Sequence, residues 1–263
     1  MRKVASALAA LTITTAASAA VADLPATVSQ GGLVIGHATP GARVSVSGKP
    51  VHVGDDGVFV LGVGRDETGP IAVVIDSRKA LIDVTPRDWP IERVEGVPPR
   101  TVNPPPEIAA RIEREQAGVV AARNRDDARE DFNHGFIWPV KGRISGRFGN
   151  QRIYNGDPKA PHSGMDIAVP EGTPVKAPAA GIITYAQPDL YLTGGTVLLD
   201  HGFGLSSNFL HLSRIDVKVG QRVQQGQVIG AAGKTGRATG PHVHWGFNWF
   251  GTRLDPLLLP GIR

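Results

Sequence analysis

Glycine and proline punctuation constrains this chain more than any other feature. Thirty-three glycines and 21 prolines among 263 residues leave few uninterrupted stretches in which a helix could propagate. Between the breakers lie short β-branched runs at 33–38, 43–46, 58–61 and 71–75. Turn signals at Pro40-Gly41, Ser47-Gly48, Asp56-Gly57 and Thr68-Gly69-Pro70 separate them at the intervals of a sandwich. This pattern predicts a small immunoglobulin-like β domain over residues 23–95. From Trp138 onward the same texture returns, with runs at 175–177, 181–185, 196–200, 205–212, 228–230 and 243–247. It predicts a second, antiparallel β domain over 133–263, so the expected fold class is mainly β.

The segment between them reads differently. Pro98-Pro99 and Pro104-Pro105-Pro106 predict a stiff polyproline linker. Residues 107–131 are charged, alanine-rich and free of proline, which predicts a helix; its apolar stripe of Ile108, Ile112 and Val119 is thin. Residues 96–132 are thus expected to be a linker plus helix, lying on the second domain or standing in solvent. At the start, Arg2-Lys3, an apolar alanine-rich run and small residues through Ala22 read as a secretory signal peptide over 1–22. The expected location is the periplasm or cell envelope, with no membrane span after the leader is removed. The chain has no cysteine, so disulfides and thiolate metal ligands are excluded. A net charge of +4 without a dense basic stripe argues against nucleic acid as a partner.

Chemistry concentrates in two short motifs about eighty positions apart, His162-Ser-Gly-Met-Asp166 and Thr239-Gly-Pro-His242-Val-His244. Two imidazoles and one carboxylate make the ligand set of an open catalytic zinc site, which keeps a fourth position for water. On a strand His242 and His244 share a face and Val243 takes the other. Pro161, Gly164 and Pro170 favour an extended path around His162 and Asp166.

With these motifs stand Ile144-Ser-Gly-Arg-Phe-Gly149 and Phe209-Leu-His-Leu-Ser213, and all four occur in the order seen in a known family. Across about 138–258 the chain resembles the LytM-type, lysostaphin-like zinc peptidases of peptidoglycan, the M23 family. The resemblance implies an antiparallel β core with a groove over one sheet. It implies Zn2+ held by His162, Asp166 and His244, with His242 and His211 catalytic. His242 is expected as the general base, and His211 as donor to the oxyanion or leaving amine, with Leu210 and Leu212 packed inward and His211 facing the groove. His201 matches a family position that is not a ligand and is expected to stabilise a turn. Arg152 is expected in a groove-lining loop where it meets a substrate carboxylate, and Asn155, Tyr191 and Trp245 are candidate groove residues.

The function expected on these grounds is a secreted zinc endopeptidase that hydrolyses amide bonds in peptidoglycan stem peptides or cross-links. The alternative is a non-enzymatic LytM-type regulator of another wall hydrolase. A swinging-arm carrier is suggested by 217–230, but the Met-Lys-Met type of modification site is missing. The N-terminal domain is a candidate docking surface for a cell-envelope protein partner, and the helix or linker a candidate autoinhibitor.

Overall fold

The computed structural model describes residues 23–262, and the leader read at 1–22 lies outside them. Strand dominates, as the punctuation predicts. The N-terminal unit is a small sandwich. One sheet orders Thr27–Ser29, Arg78–Thr85, Ile71–Ile75, Val44–Val46 and Lys49–Val51; the other pairs Leu33–His37 with Val58–Gly62. Ile71, Val73 and Ile75 alternate inward along one strand, and Phe59, Leu61 and Ile82 complete a core with almost no exposure.

The C-terminal unit is built on a long, mostly antiparallel sheet. Its order is Arg222–Val223, Gly181–Leu190, Gly194–Gly202, Leu205–Leu212, His242–Trp249, Met165–Ala168 and Arg143–Gly146. Thr252–Leu254 also pairs with His242–Trp249, further along the edge that Met165–Ala168 occupies. One face packs Met165, Ile167, Val197, Leu199, Phe209, Val243, Trp245 and Phe247 into the main core. The other face carries the polar groove. Trp245 is fully buried, which corrects its expectation as a groove residue. It sits one residue after His244, so the pleat turns it to the opposite face, where its indole N–H donates to Ser207 Oγ (3.3 Å).

The two units share more than a tether. Val58 and Val60 belong to the core of the C-terminal unit. Trp89 lies edge-on to Phe148 with the guanidiniums of Arg65 and Arg87 against its ring, and Arg87 pairs with the buried Asp255. Strand Ile91–Val94 leaves the sandwich and pairs in parallel with Gln151–Tyr154, beside the groove.

The intervening segment is folded onto the protein. Residues Pro99–Val102 form one helical turn, and Val97 and Val102 bury against Tyr154. The long helix spans Pro106–Arg123, ending earlier than the composition predicts. Beyond Asn124 the chain is captured by the hairpin that joins Gly194–Gly202 to Leu205–Leu212. Phe203 N donates to Asp127 O, Asp131 N donates to His201 O, and Arg129 pairs with Asp200. Those contacts satisfy backbone groups that another helical turn would have used. Among the described residues no helix is long and apolar enough to cross a membrane.

Candidate metal centre

Adjacent strands bring three donor atoms together. Asp166 and His244 are register partners on Met165–Ala168 and His242–Trp249, so their side chains meet on the groove face. His162 comes from the irregular segment just before that strand. His162 Nε2, Asp166 Oδ1 and His244 Nδ1 form a triangle with sides of 3.0, 3.0 and 2.9 Å, and all three residues are buried.

The triangle suits a cation. His162 Nδ1 donates to Arg147 O (3.0 Å), which leaves its Nε2 as a lone pair. Burial resists ionisation of Asp166, but His162 and His244 outweigh it and hold the carboxyl well below its usual range. Burial pulls His244 down to about 4, so it is neutral at neutral pH. Three acceptors therefore converge with too few protons to satisfy one another. Neutral imidazoles with a carboxylate are the donors zinc prefers, and His162 has the usual supporting partner on its outer ring nitrogen, whereas Nε2 of His244 is buried without one.

Arg152 holds the carboxylate from behind. Its Nη2 donates to Asp166 Oδ2 (2.6 Å), Nη1 donates to Tyr154 OH (2.9 Å), and Nε lies 3.4 Å from Glu92 Oε2. Burial opposes its charge, but Asp166 and Tyr154 prevail and raise its pKa. Arg152 thus lies on a strand, not a loop, and its carboxylate partner is internal; that corrects the expectation of a substrate contact. The centre also depends on two glycines. A Cβ at Gly146 would lie 2.5 Å from Asp166 Oδ2 and 2.7 Å from Arg152 Nη2. One at Gly164 would lie 2.5 Å from Trp245 O and 2.8 Å from His244 Nε2.

Two more imidazoles face the same groove. His242 Nδ1 donates to Gly240 O (2.8 Å), and its Nε2 lies 3.8 Å from Asp166 Oδ1. His211 Nδ1 donates to Thr235 O (2.8 Å), and the two rings stand 4.7 Å apart. Both rings therefore present Nε2 lone pairs. Burial, then the neighbouring His242 and His244, push His211 down to about 3. His211 has a left-handed φ of 65°, which breaks the strand alternation. Leu210 and His211 both line the groove as a result, while Leu212 packs inward; the inward packing expected for Leu210 is corrected.

The other singled-out residues separate cleanly. His201 is fully buried: its Nδ1 donates to Ala180 O (2.7 Å), its Nε2 accepts from the Ser207 hydroxyl (2.9 Å), and the ring stacks on Phe247. It pins strands together far from the triangle. Asn155 clasps the backbone of Val97, and the Tyr191 hydroxyl donates to Arg100 O (3.4 Å). Glu92 and the carbonyls of Thr235 and Gly240 escaped the sequence reading, although both carbonyls lie within the glycine-rich motif around the second histidine pair.

The groove is a cavity of about 470 Å3 containing His162, Asp166, His211, His242 and His244. Val97 and Pro98 also line it, because residues 97–103 cross its mouth. That strap is fixed to one wall by Asn155, Asp157 and Lys159 and to the other by Tyr191 and by Arg237, which donates to Thr101 O (2.9 Å).

Residues 160–256 match the family model described as peptidase family M23. The peptidoglycan DD-endopeptidase ShyA of Vibrio cholerae is 40% identical over 133 residues, 49% of this chain and 30% of that protein. The cell division protein DipM of Caulobacter vibrioides is 35% identical over 124 residues, 46% of this chain and 19% of that protein. The chain thus spans less than a third of the length of these curated relatives. Similarity to a crystal structure of a Pseudomonas aeruginosa M23 peptidase is far more extensive. It covers 87% of this chain and 93% of that one, at 36% identity and a TM-score of 0.68. Since that likeness extends over most of both chains, the chain as a whole belongs to peptidase family M23.

Proposed function

We propose that the protein is a secreted zinc endopeptidase that cleaves amide bonds in the peptides of peptidoglycan, working in the periplasm or cell envelope. The observation that carries this reading is the five-residue cluster. Three lone pairs converge within 3.0 Å, and two further imidazoles aim free Nε2 atoms at the space beside them. A regulator without catalysis would not need those two rings. The named activity of ShyA supports the substrate class.

His162, Asp166 and His244 would hold the metal. Zinc held there would supply Lewis acidity that makes water a nucleophile near neutral pH. His242 is the general base: Gly240 O fixes its ring, and Nε2 accepts a proton from the attacking water. The water oxygen forms the new bond to the carbonyl carbon, the C–N bond breaks, and the proton passes to the leaving amine. His211 begins as an acceptor as well, since its only N–H is spent on Thr235 O. It donates to the oxyanion or the amine only after a proton reaches it. Arg152 orients Asp166 and keeps it ionised.

Purified sacculi incubated with the protein should gain free amino groups, with one zinc per chain by elemental analysis. Sacculi left intact by a zinc-loaded protein whose strap has been opened would overturn the proposal.

A further inference from the structure

The groove floor continues beyond the triangle. His244, Gly246 and Asn248 share one face of their strand, and Leu210 and Asn208 face them across the ladder through the pairs with His244 and Gly246. Along the other edge Arg253 pairs with Asn248 as Asp166 pairs with His244. Arg253 therefore lies on the face of the metal centre, four residues further along, or about 13 Å away.

Helix Pro106–Arg123 roofs this end with Gln116, Val119 and Arg123. The result is a pocket of about 90 Å3 whose polar lining includes Arg123, Arg253, Asn208, Asn248, Thr196 and Ser163. It opens into the groove, since Ser163, Thr193, Leu210 and Arg253 line both.

The charge of the pocket is uncompensated. No Asp or Glu lines it. Elsewhere the partly buried arginines Arg87, Arg129 and Arg152 each pair with a carboxylate. Among the described residues neither Arg123 nor Arg253 has a side-chain hydrogen bond or an ion pair, and Arg123 Nε is buried without a partner. Burial, reinforced by Arg253, lowers Arg123 to about 10, which still leaves it charged at neutral pH. Asn208, whose Oδ1 accepts from Asn248 Nδ2 (3.0 Å), lines the pocket beside the two arginines. Two like charges brought together, Arg123 half-buried and Arg253 reaching solvent, repel each other and leave donors idle until an anion joins them.

We infer that this pocket is a subsite for a carboxylate of the peptide lying in the groove, an inference that rests on the peptidase reading. The pocket has room for a carboxylate on a short stem, and a guanidinium fork matches it in a bidentate contact. At about 3.3 Å per extended residue, the carboxylate read here lies roughly four residues along the chain from the scissile bond, or less when it ends a long side chain. The helix then supplies substrate-binding surface as well as a link between domains.

The test uses the full-length chain and two cross-linked muropeptide dimers, one with free carboxylates and one with those groups amidated. The protein should cleave the acid form roughly 10- to 100-fold more efficiently, chiefly through KM. In Arg253→Gln and Arg123→Gln that ratio should fall toward one with zinc content unchanged, and Arg253→Lys should keep part of it. Calorimetry on the His242→Ala chain should show tighter binding of the acid dimer, lost on adding Arg253→Gln. Equal cleavage of both dimers by the unaltered protein would overturn the subsite and leave the peptidase reading intact. Carboxylate-dependent binding without cleavage, even after the strap is opened by Val102→Asp, would do the reverse, and neither binding nor cleavage by the unaltered and the strap-opened chains would overturn both.

Discussion

The two ends of the groove handle charge in opposite ways. At the metal centre each ionised group has its counterpart within the protein: Asp166 faces Arg152, and Arg152 approaches Glu92. At the far end Arg123 and Arg253 stand together with no acid at hand. The first arrangement fixes the geometry of groups that must not move during proton transfer. The second leaves a deficit that a ligand fills. On the function and subsite proposed above, rigidity at one end and unsatisfied charge at the other divide the groove into a part that reacts and a part that recognises.

The sharpest way to break this division is to remove a donor from the triangle. His162→Ala and His244→Ala should lose zinc and all wall cleavage, with the sheet intact by circular dichroism; full zinc occupancy in either variant would defeat the ligand assignment. His242→Ala comes next. It should retain zinc but slow cleavage roughly 100- to 10,000-fold, as loss of a general base does. If His242→Ala lost the metal while His244→Ala kept it, the two roles would be exchanged.

Arg152→Gln probes the internal pairing directly. Zinc affinity should weaken about 10- to 100-fold, the usual effect of removing a group that orients a ligand, and competition with a chelator would measure it. Unchanged affinity would reduce Arg152 to a packing residue. Val102→Asp sharpens the comparison from outside. A charge in the buried cluster with Val97 and Tyr154 should lift the strap and raise cleavage several-fold, whereas an inert or weakened enzyme would argue that the strap does not obstruct the groove.

His201 provides the smallest effect and the control. Burial lowers it to about 4 in the folded chain against roughly 6.5 when unfolded. The unfolded state therefore binds more protons between those values, and stability should fall as pH drops from about 6.5 toward 4. His201→Gln should flatten that slope in melting temperature without changing zinc content, because the residue touches neither end of the groove.

The clustering of the histidines with Asp166 was largely legible in the sequence, and the meeting of the two arginines was not. Parity along one strand puts His242 and His244 on the same face, and short motifs carry His162 and Asp166 to meet them. The errors at Leu210 and Trp245 have separate causes. A left-handed backbone at His211 upsets the alternation that an ordinary strand would impose, and the pleat carries Trp245 into the core. Arg152 reads in the sequence as a loop residue free to meet a substrate because its partners, Glu92 and Asp166, come from other segments of the chain. Arg123 and Arg253 are 130 positions apart and meet only because a helix of weak amphipathicity settles over a sheet edge. Their neighbours in sequence give no sign of it. The folded strap was hidden likewise, since prolines favour an extended path without saying what that path touches.

The glycines at 146 and 164 carry a consequence for how this sequence can drift. Neither offers a functional group, yet one added methyl at either site would press on Asp166 and Arg152 or on His244 and the Trp245 carbonyl. In a saturation library selected for activity, those two columns should be as empty as the columns of the histidines themselves. The first accepted replacements there should appear only alongside compensating changes in neighbouring strands. Part of the heritable specification of the centre thus resides in atoms that are absent.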